Sequence, residues 1–194
     1  MLSRSMLELA ERNQWRTNPE EETVFGEFNG YFFTGLEGKN FKTFITPVAG
    51  ISPGALQTLL RFLYDNRNQL KVLNYEVSDN FLCVRQKAGM SLTADKMEYL
   101  LAEISGLLAL GELPTDACAV CGETAPKRGL YYGLFCHLHP ECQNREMRDF
   151  TSPELAQNGE TAENVETDEK VETDDKGEND EDTRSGGSAG PTGE

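Results

Sequence analysis

The stretch TVFGEFNGYFFTGL, residues 23–36, places two runs of β-branched and aromatic residues on either side of Asn29-Gly30. Asn-Gly favours a two-residue hairpin turn, because both central positions of that turn need a positive φ. The stretch therefore predicts two antiparallel strands, Thr23–Phe28 and Tyr31–Leu36. A third strand, Phe41–Val48, follows the next turn, and its two faces are not cleanly divided into apolar and polar.

Helical patterns flank these strands. Residues 2–15 have apolar residues at helical spacing, and Ser52-Pro53 supplies an N-cap followed by a proline at the first helical position. Two more strands, Leu70–Val77 and Phe81–Lys87, precede a helix over residues 94–110, and Cys83 is expected in the core. The order α-β-β-β-α-β-β-α predicts an α+β fold, in which helices pack on one face of an antiparallel sheet.

This order of elements over residues 2–110 resembles the type III secretion chaperone-like fold, including the YbjN-type proteins. The helix Ser52–Asn66, the hairpin Leu70–Lys87 and the helix after Leu92-Thr93-Ala94 carry the resemblance. The resemblance is topological and covers a little over half of the chain. It implies a protein-binding domain, often a homodimer, without a cofactor and without catalysis. It transfers no site residues.

A cysteine- and histidine-rich segment follows this region. Cys118-x-x-Cys121 is separated by fourteen residues from the run Cys136-His-Leu-His-Pro-Glu-Cys142. Zinc takes four tetrahedral nitrogen or sulfur ligands, and a two-residue spacer lets one tight turn supply two of them. We therefore predict a zinc site of Cys118, Cys121, Cys136 and His139, with Cys142 as the alternative fourth ligand and His137 as a weaker one.

The surroundings of these residues favour a structural metal. A short hairpin is predicted around Gly133, and Pro140 suits the start of a helix that Glu141–Phe150 could continue, an arrangement similar to treble-clef zinc modules. A segment this short builds little core and commonly depends on a metal for folding. A catalytic zinc needs an open coordination position, which a site with four protein ligands does not have.

The end of the chain differs in composition. Residues 1–150 hold 15 Lys/Arg and 19 Asp/Glu, a net charge of −4, whereas residues 151–194 hold 3 and 14, a net charge of −11. The second segment has too few apolar residues to offset the entropy of ordering it, which predicts a disordered acidic tail. We expect an α+β domain over residues 1–112, a zinc module over 113–150 and the tail over 151–194.

The same composition limits location and function. No signal peptide or membrane span is expected, and the odd number of clustered cysteines suits metal binding in a reducing, cytoplasmic compartment. The motifs of nucleotide binding and of serine or zinc hydrolysis are absent. We expect a non-enzymatic, adaptor or chaperone-like module with a protein partner. The alternative is a nucleic-acid-binding regulator, which the balanced charge of residues 113–150 and the acidic tail argue against.

Overall fold

A computed structural model describes residues 1–89 and 91–143. The elements are α1 (Arg4–Arg12), β1 (Arg16–Asn18), β2 (Thr23–Phe28), β3 (Tyr31–Glu37), β4 (Phe41–Pro47), α2 (Pro53–Asp65), α3 (Arg67–Leu70), β5 (Val72–Ser78), β6 (Phe81–Lys87), α4 (Ala94–Leu110), β7 (Arg128–Tyr131) and β8 (Leu134–His137). The predicted tail and most of the predicted helix Glu141–Phe150 lie outside the described residues.

Six strands form one antiparallel sheet in the order β1-β2-β3-β4-β6-β5. The predicted Asn-Gly turn connects β2 and β3, with Asn29 at φ +50° and Gly30 at φ +85°. Two short elements were not predicted: strand β1, which pairs with β2 at one edge, and the single helical turn α3 before β5. The predicted α+β class is confirmed.

One face of the sheet packs against the helices. Val24, Phe33, Phe44, Leu82 and Val84 point to this side and share a core with the apolar faces of α1, α2 and α4. The Oγ atom of Ser52 accepts a hydrogen bond from the Ala55 N–H at 3.2 Å, which confirms the predicted cap of α2. Helices therefore cover one face of the sheet, as predicted.

The opposite face of the sheet is also covered, by the hairpin β7–β8. Phe32 of β3 contacts Phe135 of β8, with ring centroids 4.6 Å apart, and Phe25 lies 5.4 Å from the same ring. Ile45, Phe81 and Cys83 share a second buried core with residues 118–138. Cys83 is 2 % exposed, which confirms its predicted place in the core. The apolar residues on both faces of β4 are explained by these two layers.

A buried charged pair holds the start of α1 on the hairpin β3–β4. The Lys42 ammonium lies 2.6 and 2.8 Å from the carboxylate oxygens of Glu37 and also contacts the Ser3 hydroxyl. Ser3, the N-cap of α1, donates to Glu37 through its N–H at 3.0 Å and its hydroxyl at 2.8 Å. Burial raises the pKa of Glu37, but these donors outweigh burial and hold its pKa below the usual value.

Within the part of the chain that the structure describes, no helix has the length and apolar character needed to cross a membrane.

Candidate metal centre

Four side chains from two loops converge beside the hairpin β7–β8. The sulfur atoms of Cys118, Cys121 and Cys142 and a ring nitrogen of His139 all lie within 4.8 Å of one another. The Cys121 Sγ and His139 Nδ1 atoms are 3.4 Å apart. Zinc–sulfur and zinc–nitrogen bonds of about 2.3 and 2.0 Å place tetrahedral ligand atoms roughly 3.5–3.8 Å apart. The group could therefore hold one metal ion.

The first pair of thiols lies on a tight loop. The Cys118 N–H donates to the Glu123 carbonyl at 2.7 Å, and the Gly122 N–H donates to the Cys118 carbonyl at 2.9 Å. Gly122 has φ +79°, and a Cβ there would lie 2.8 Å from the backbone of Gly50. A glycine is thus required both by the backbone conformation and by close packing on the loop after β4.

The loop is also held to the sheet by a side chain. Asn80, in the turn between β5 and β6, donates its amide to the Val120 carbonyl at 2.8 Å. Val120 lies between the two thiols of the loop, so this bond and the Gly50 contact fix the position of Cys118 and Cys121 relative to the sheet.

The second pair, His139 and Cys142, directly follows β8. A 3₁₀ turn over Pro140–Cys142 brings the pair together, and the Cys142 N–H donates to the His139 carbonyl at 3.0 Å. The His139 Nε2 atom lies 2.9 Å from the Thr124 carbonyl, which can only accept a hydrogen bond. Nε2 therefore carries the proton and Nδ1 presents its lone pair to the sulfurs. Backbone carbonyls orient metal-ligating histidines in this way.

The surroundings of the group give its thiols different pKa values. Burial raises the pKa of Cys118, but backbone N–H groups of Cys121, His139 and Val120 donate to its sulfur and lower the pKa to about 6. Burial and the neighbouring Cys118 sulfur raise the pKa of Cys142 to about 12. One thiolate is thus favoured without a cation, whereas a coordinated metal ion would stabilise all three as thiolates.

The histidine responds to the same neighbours. Desolvation lowers the pKa of His139, but the Cys118 sulfur and the Thr124 carbonyl outweigh it and raise the pKa above the usual value. Protons and a metal ion therefore compete for Nδ1, and metal affinity should fall as the pH is lowered.

Cys136, the third member of the predicted set, lies outside this group of four. It is fully buried in β8 and packs with Leu134, Ile45 and Cys83 in the second core. Burial, together with the nearby Cys118 thiol, raises its pKa to about 12. The structure thus brings together Cys118, Cys121 and His139 from the predicted set, and Cys142, the alternative ligand, takes the fourth place. Cys136 shares the face of β8 that carries Leu134 and is buried in the second core, whereas Phe135 and His137 lie on the opposite face.

His137, the weaker alternative, also lies outside the group. Its ring packs on Phe32, with centroids 5.0 Å apart, and 7 % of the residue is exposed. Its Nδ1 atom is buried and has no hydrogen-bond partner among the described residues. The structure places this side chain between the hairpin and the sheet rather than beside the thiols.

Comparison with known proteins adds no assignment. No family model matches the chain, and no curated protein matches it either. The type III secretion chaperone-like resemblance therefore stays a prediction from the order of elements, and the site has to be interpreted from its own geometry.

Proposed function

We propose that this chain is a non-enzymatic protein-interaction module, an adaptor or chaperone-like protein, with a structural Zn²⁺ ion bound by Cys118, Cys121, His139 and Cys142. The observation that carries the metal assignment is the convergence of these four donors, with the Thr124 carbonyl orienting the histidine. Three thiolates and one imidazole are a donor set typical of structural zinc. The need for reduced thiols favours the cytoplasm.

The donor count supports a structural rather than a catalytic role. Four protein ligands complete a tetrahedral shell and leave no position for a water molecule or a substrate. The chain has two histidines. One is the proposed ligand His139, and the other, His137, is buried against Phe32. Neither is placed to act as a general base at a second site.

The position of the proposed ligands explains what a metal ion would do. The loop Cys118–Cys121 precedes the hairpin β7–β8, and the turn His139–Cys142 follows it. A single ion would therefore join the two ends of the hairpin. The Phe135 N–H donates to Thr34 Oγ1 at 2.9 Å. A metal ion that joined the ends of the hairpin would therefore help to hold it against β3.

The surface of the described residues supports an interaction function. Large apolar side chains remain exposed at the hairpin tip, where Leu130 and Tyr132 are 52 % and 59 % exposed, and beside strand β5. Exposed apolar patches commonly mark protein-binding surfaces. In contrast, Arg128, a basic residue of the hairpin, pairs with Glu27 at 3.3 Å and lies over the ring of Phe32.

The metal assignment can be tested by elemental analysis of the full-length protein and two alanine variants. We expect one zinc ion per chain, retained in Cys136→Ala but lost in Cys142→Ala. Loss of an outer-shell partner alone weakens zinc binding about 10–100-fold, so loss of a ligand should cost more. If Cys142→Ala retained zinc and Cys136→Ala lost it, the ligands would instead be Cys118, Cys121, Cys136 and His139. Absence of zinc from the unaltered protein would refute the site.

The interaction function needs a separate measurement. Immobilised full-length protein should retain a defined set of proteins from native lysate, and Tyr132→Ser and Leu130→Ser should each reduce the amount retained. Tyr99→Ser, at another exposed aromatic residue, serves as the matched control. Recovery of nucleic acid that is lost as salt is raised would instead support the nucleic-acid-binding alternative.

A further inference from the structure

Strands β3 and β4 are paired over only part of their length. The ladder between them ends at the pair Thr34 and Ile45. β3 begins before that pair, at Tyr31, and β4 continues after it, to Pro47. Residues 31–33 of β3 are therefore not paired with β4, and residues 46–47 of β4 are not paired with β3. The ladder is open at this end of the sheet.

A small cavity lies at this open end. Its walls come from β3, β4, β8 and the segment after α4, namely Tyr31, Phe32, Thr46, Pro47, His137 and four residues of the segment 113–117. The Tyr31 hydroxyl donates a hydrogen bond to the Leu113 carbonyl at 2.9 Å, which fixes that segment against β3. The cavity has a volume of about 20 Å³. A volume of roughly 10–15 Å³ is enough to hold one water molecule.

Two buried polar atoms belong to residues that line this cavity. Thr46 is 1 % exposed and His137 is 7 % exposed. The Thr46 Oγ1 and His137 Nδ1 atoms are both buried, and neither has a hydrogen-bond partner among the described residues. Buried polar groups are nearly always paired with protein or with ordered water, because an unpaired group loses the hydrogen bonds that it makes in the unfolded chain. One small polar molecule in the cavity would serve both atoms.

The size and the chemistry of the cavity select that molecule. A hydroxyl group can donate or accept, and an imidazole nitrogen does one or the other according to the tautomer. A water molecule donates two hydrogen bonds and accepts two, so it can pair with both atoms in either tautomer. A hard cation needs several oxygen ligands, commonly carboxylates, and none of the lining side chains is a carboxylate. The volume is too small for an organic ligand.

We propose that this cavity is a binding site for one buried water molecule, which bridges Thr46 Oγ1 and His137 Nδ1. The water molecule joins the hairpin β7–β8 to β4 by hydrogen bonds at the point where the ladder between β3 and β4 ends. The proposal gives a role to His137, which lies outside the group of four metal ligands. It depends neither on the metal ion nor on the interaction function, because all the contacts involved lie within the cavity.

The first test detects the water molecule in the unaltered full-length protein. The methyl groups of Ala49 and Ala117 also line the cavity, and they have no exchangeable proton. We expect nuclear Overhauser cross-peaks between the water resonance and both methyl groups, with the sign of a water molecule that tumbles with the protein. Water ¹⁷O relaxation dispersion gives the number of such long-lived water molecules independently of any proton exchange.

The second test changes the site. Thr46→Val replaces the hydroxyl with a methyl group of similar size, so both cross-peaks should disappear and the number of long-lived water molecules should fall by one. Thr46→Ser keeps the hydroxyl and should keep both signals. Thr58→Val is the matched control, since Thr58 lies exposed on α2 and away from the cavity. Circular dichroism checks that every variant is folded.

Three outcomes would overturn the proposal. The unaltered protein could lack both cross-peaks, which would show that the cavity holds no long-lived water molecule. Folded Thr46→Val could keep the cross-peaks and the number of water molecules, or Thr58→Val could lose them equally. The first outcome needs no variant, so the proposal stays testable even if Thr46→Val fails to fold.

Discussion

Removal of the proposed zinc ion should destabilise the whole described fold rather than release the hairpin β7–β8 alone. The hairpin covers four large apolar side chains of the sheet, namely Phe25, Phe32, Ile45 and Phe81. Exposing each would cost about 1.5–3 kcal/mol, and therefore roughly 6–12 kcal/mol together. That sum is similar to the entire unfolding free energy of a typical domain, about 5–15 kcal/mol. A sheet with a released hairpin should therefore have little stability of its own.

Cys83 provides the readout for this prediction. It is 2 % exposed, lies on the sheet beneath the hairpin, and burial raises its pKa to about 12. The assay treats the protein with a zinc chelator and an alkylating reagent while far-UV circular dichroism is followed during heating. Peptide mapping then separates Cys83 from the four cysteines of residues 118–142.

We expect a single transition at a lower temperature than in the metal-bound protein. Before that transition Cys121, which is exposed, should react, and Cys83 should stay protected. A Cys83→Ala variant, which should keep its zinc, identifies the peptide signal of this residue. Alkylation of Cys83 in the presence of chelator, well below the transition and with the helical signal intact, would contradict the reasoning. It would mean that the hairpin is a separable domain.

Three further perturbations test individual contacts. Lys42→Met should lower the unfolding free energy by about 3 kcal/mol at pH 7 in urea titrations, because it leaves the Glu37 carboxylate buried without its cation. Glu37 has a lowered pKa in the folded protein, so the contribution of the pair is present above the unfolded pKa of about 4.3 and is lost as the pH falls through the folded pKa. The stability difference between the variant and the unaltered protein should therefore shrink as the pH is lowered below about 4.3, and a constant difference would contradict this. Gly122→Ala should weaken zinc binding by more than about tenfold in competition titrations, since a positive φ costs about 1–2 kcal/mol and the new Cβ meets Gly50. Its control is Gly129→Ala, where a Cβ would have open space, and equal losses in both would refute the packing argument. Arg12→Met should change the unfolding free energy little, and the change should vanish in high salt, because the contacts of Arg12 with Glu8, Asp95 and Glu98 are exposed.

The main elements of the fold were predictable because their signals are local. The Asn29-Gly30 turn, the Ser52 cap and the alternation of the strands each act within a few residues, and the structure confirms them. Strand β1 was not predicted, since Arg16–Asn18 is short and polar and becomes a strand by pairing with β2. That pairing follows from Trp15, which packs over Gly26, where a Cβ would lie 2.2 Å from the indole ring. A contact between residues eleven apart leaves no periodic pattern in a single sequence.

The covering of the second face of the sheet was also not predictable from local sequence patterns. The mixed pattern of β4 was visible in the sequence, with Phe44 and Ile45 adjacent, but the partner of each face was not. Phe44 packs with the helices and Ile45 with the hairpin β7–β8, about ninety residues further along the chain. An apolar residue on the expected polar face of a strand indicates a covering layer, but its identity depends on the tertiary fold.

The candidate site shows how two local signals can compete. In the run Cys136-His-Leu-His-Pro-Glu-Cys142, a two-residue spacer fits both Cys136 with His139 and His139 with Cys142. Spacing alone does not distinguish them. Alternation along β8 does not distinguish them either, because Leu134 and Cys136 share one face, Phe135 and His137 share the other, and both faces are packed. The strand ends at His137, and the turn Pro140–Cys142 carries Cys142 back towards the thiols of Cys118 and Cys121. The distinction between the two ligand sets therefore depends on the turn that follows the strand and on tertiary packing of β8, neither of which the spacing of the ligands specifies.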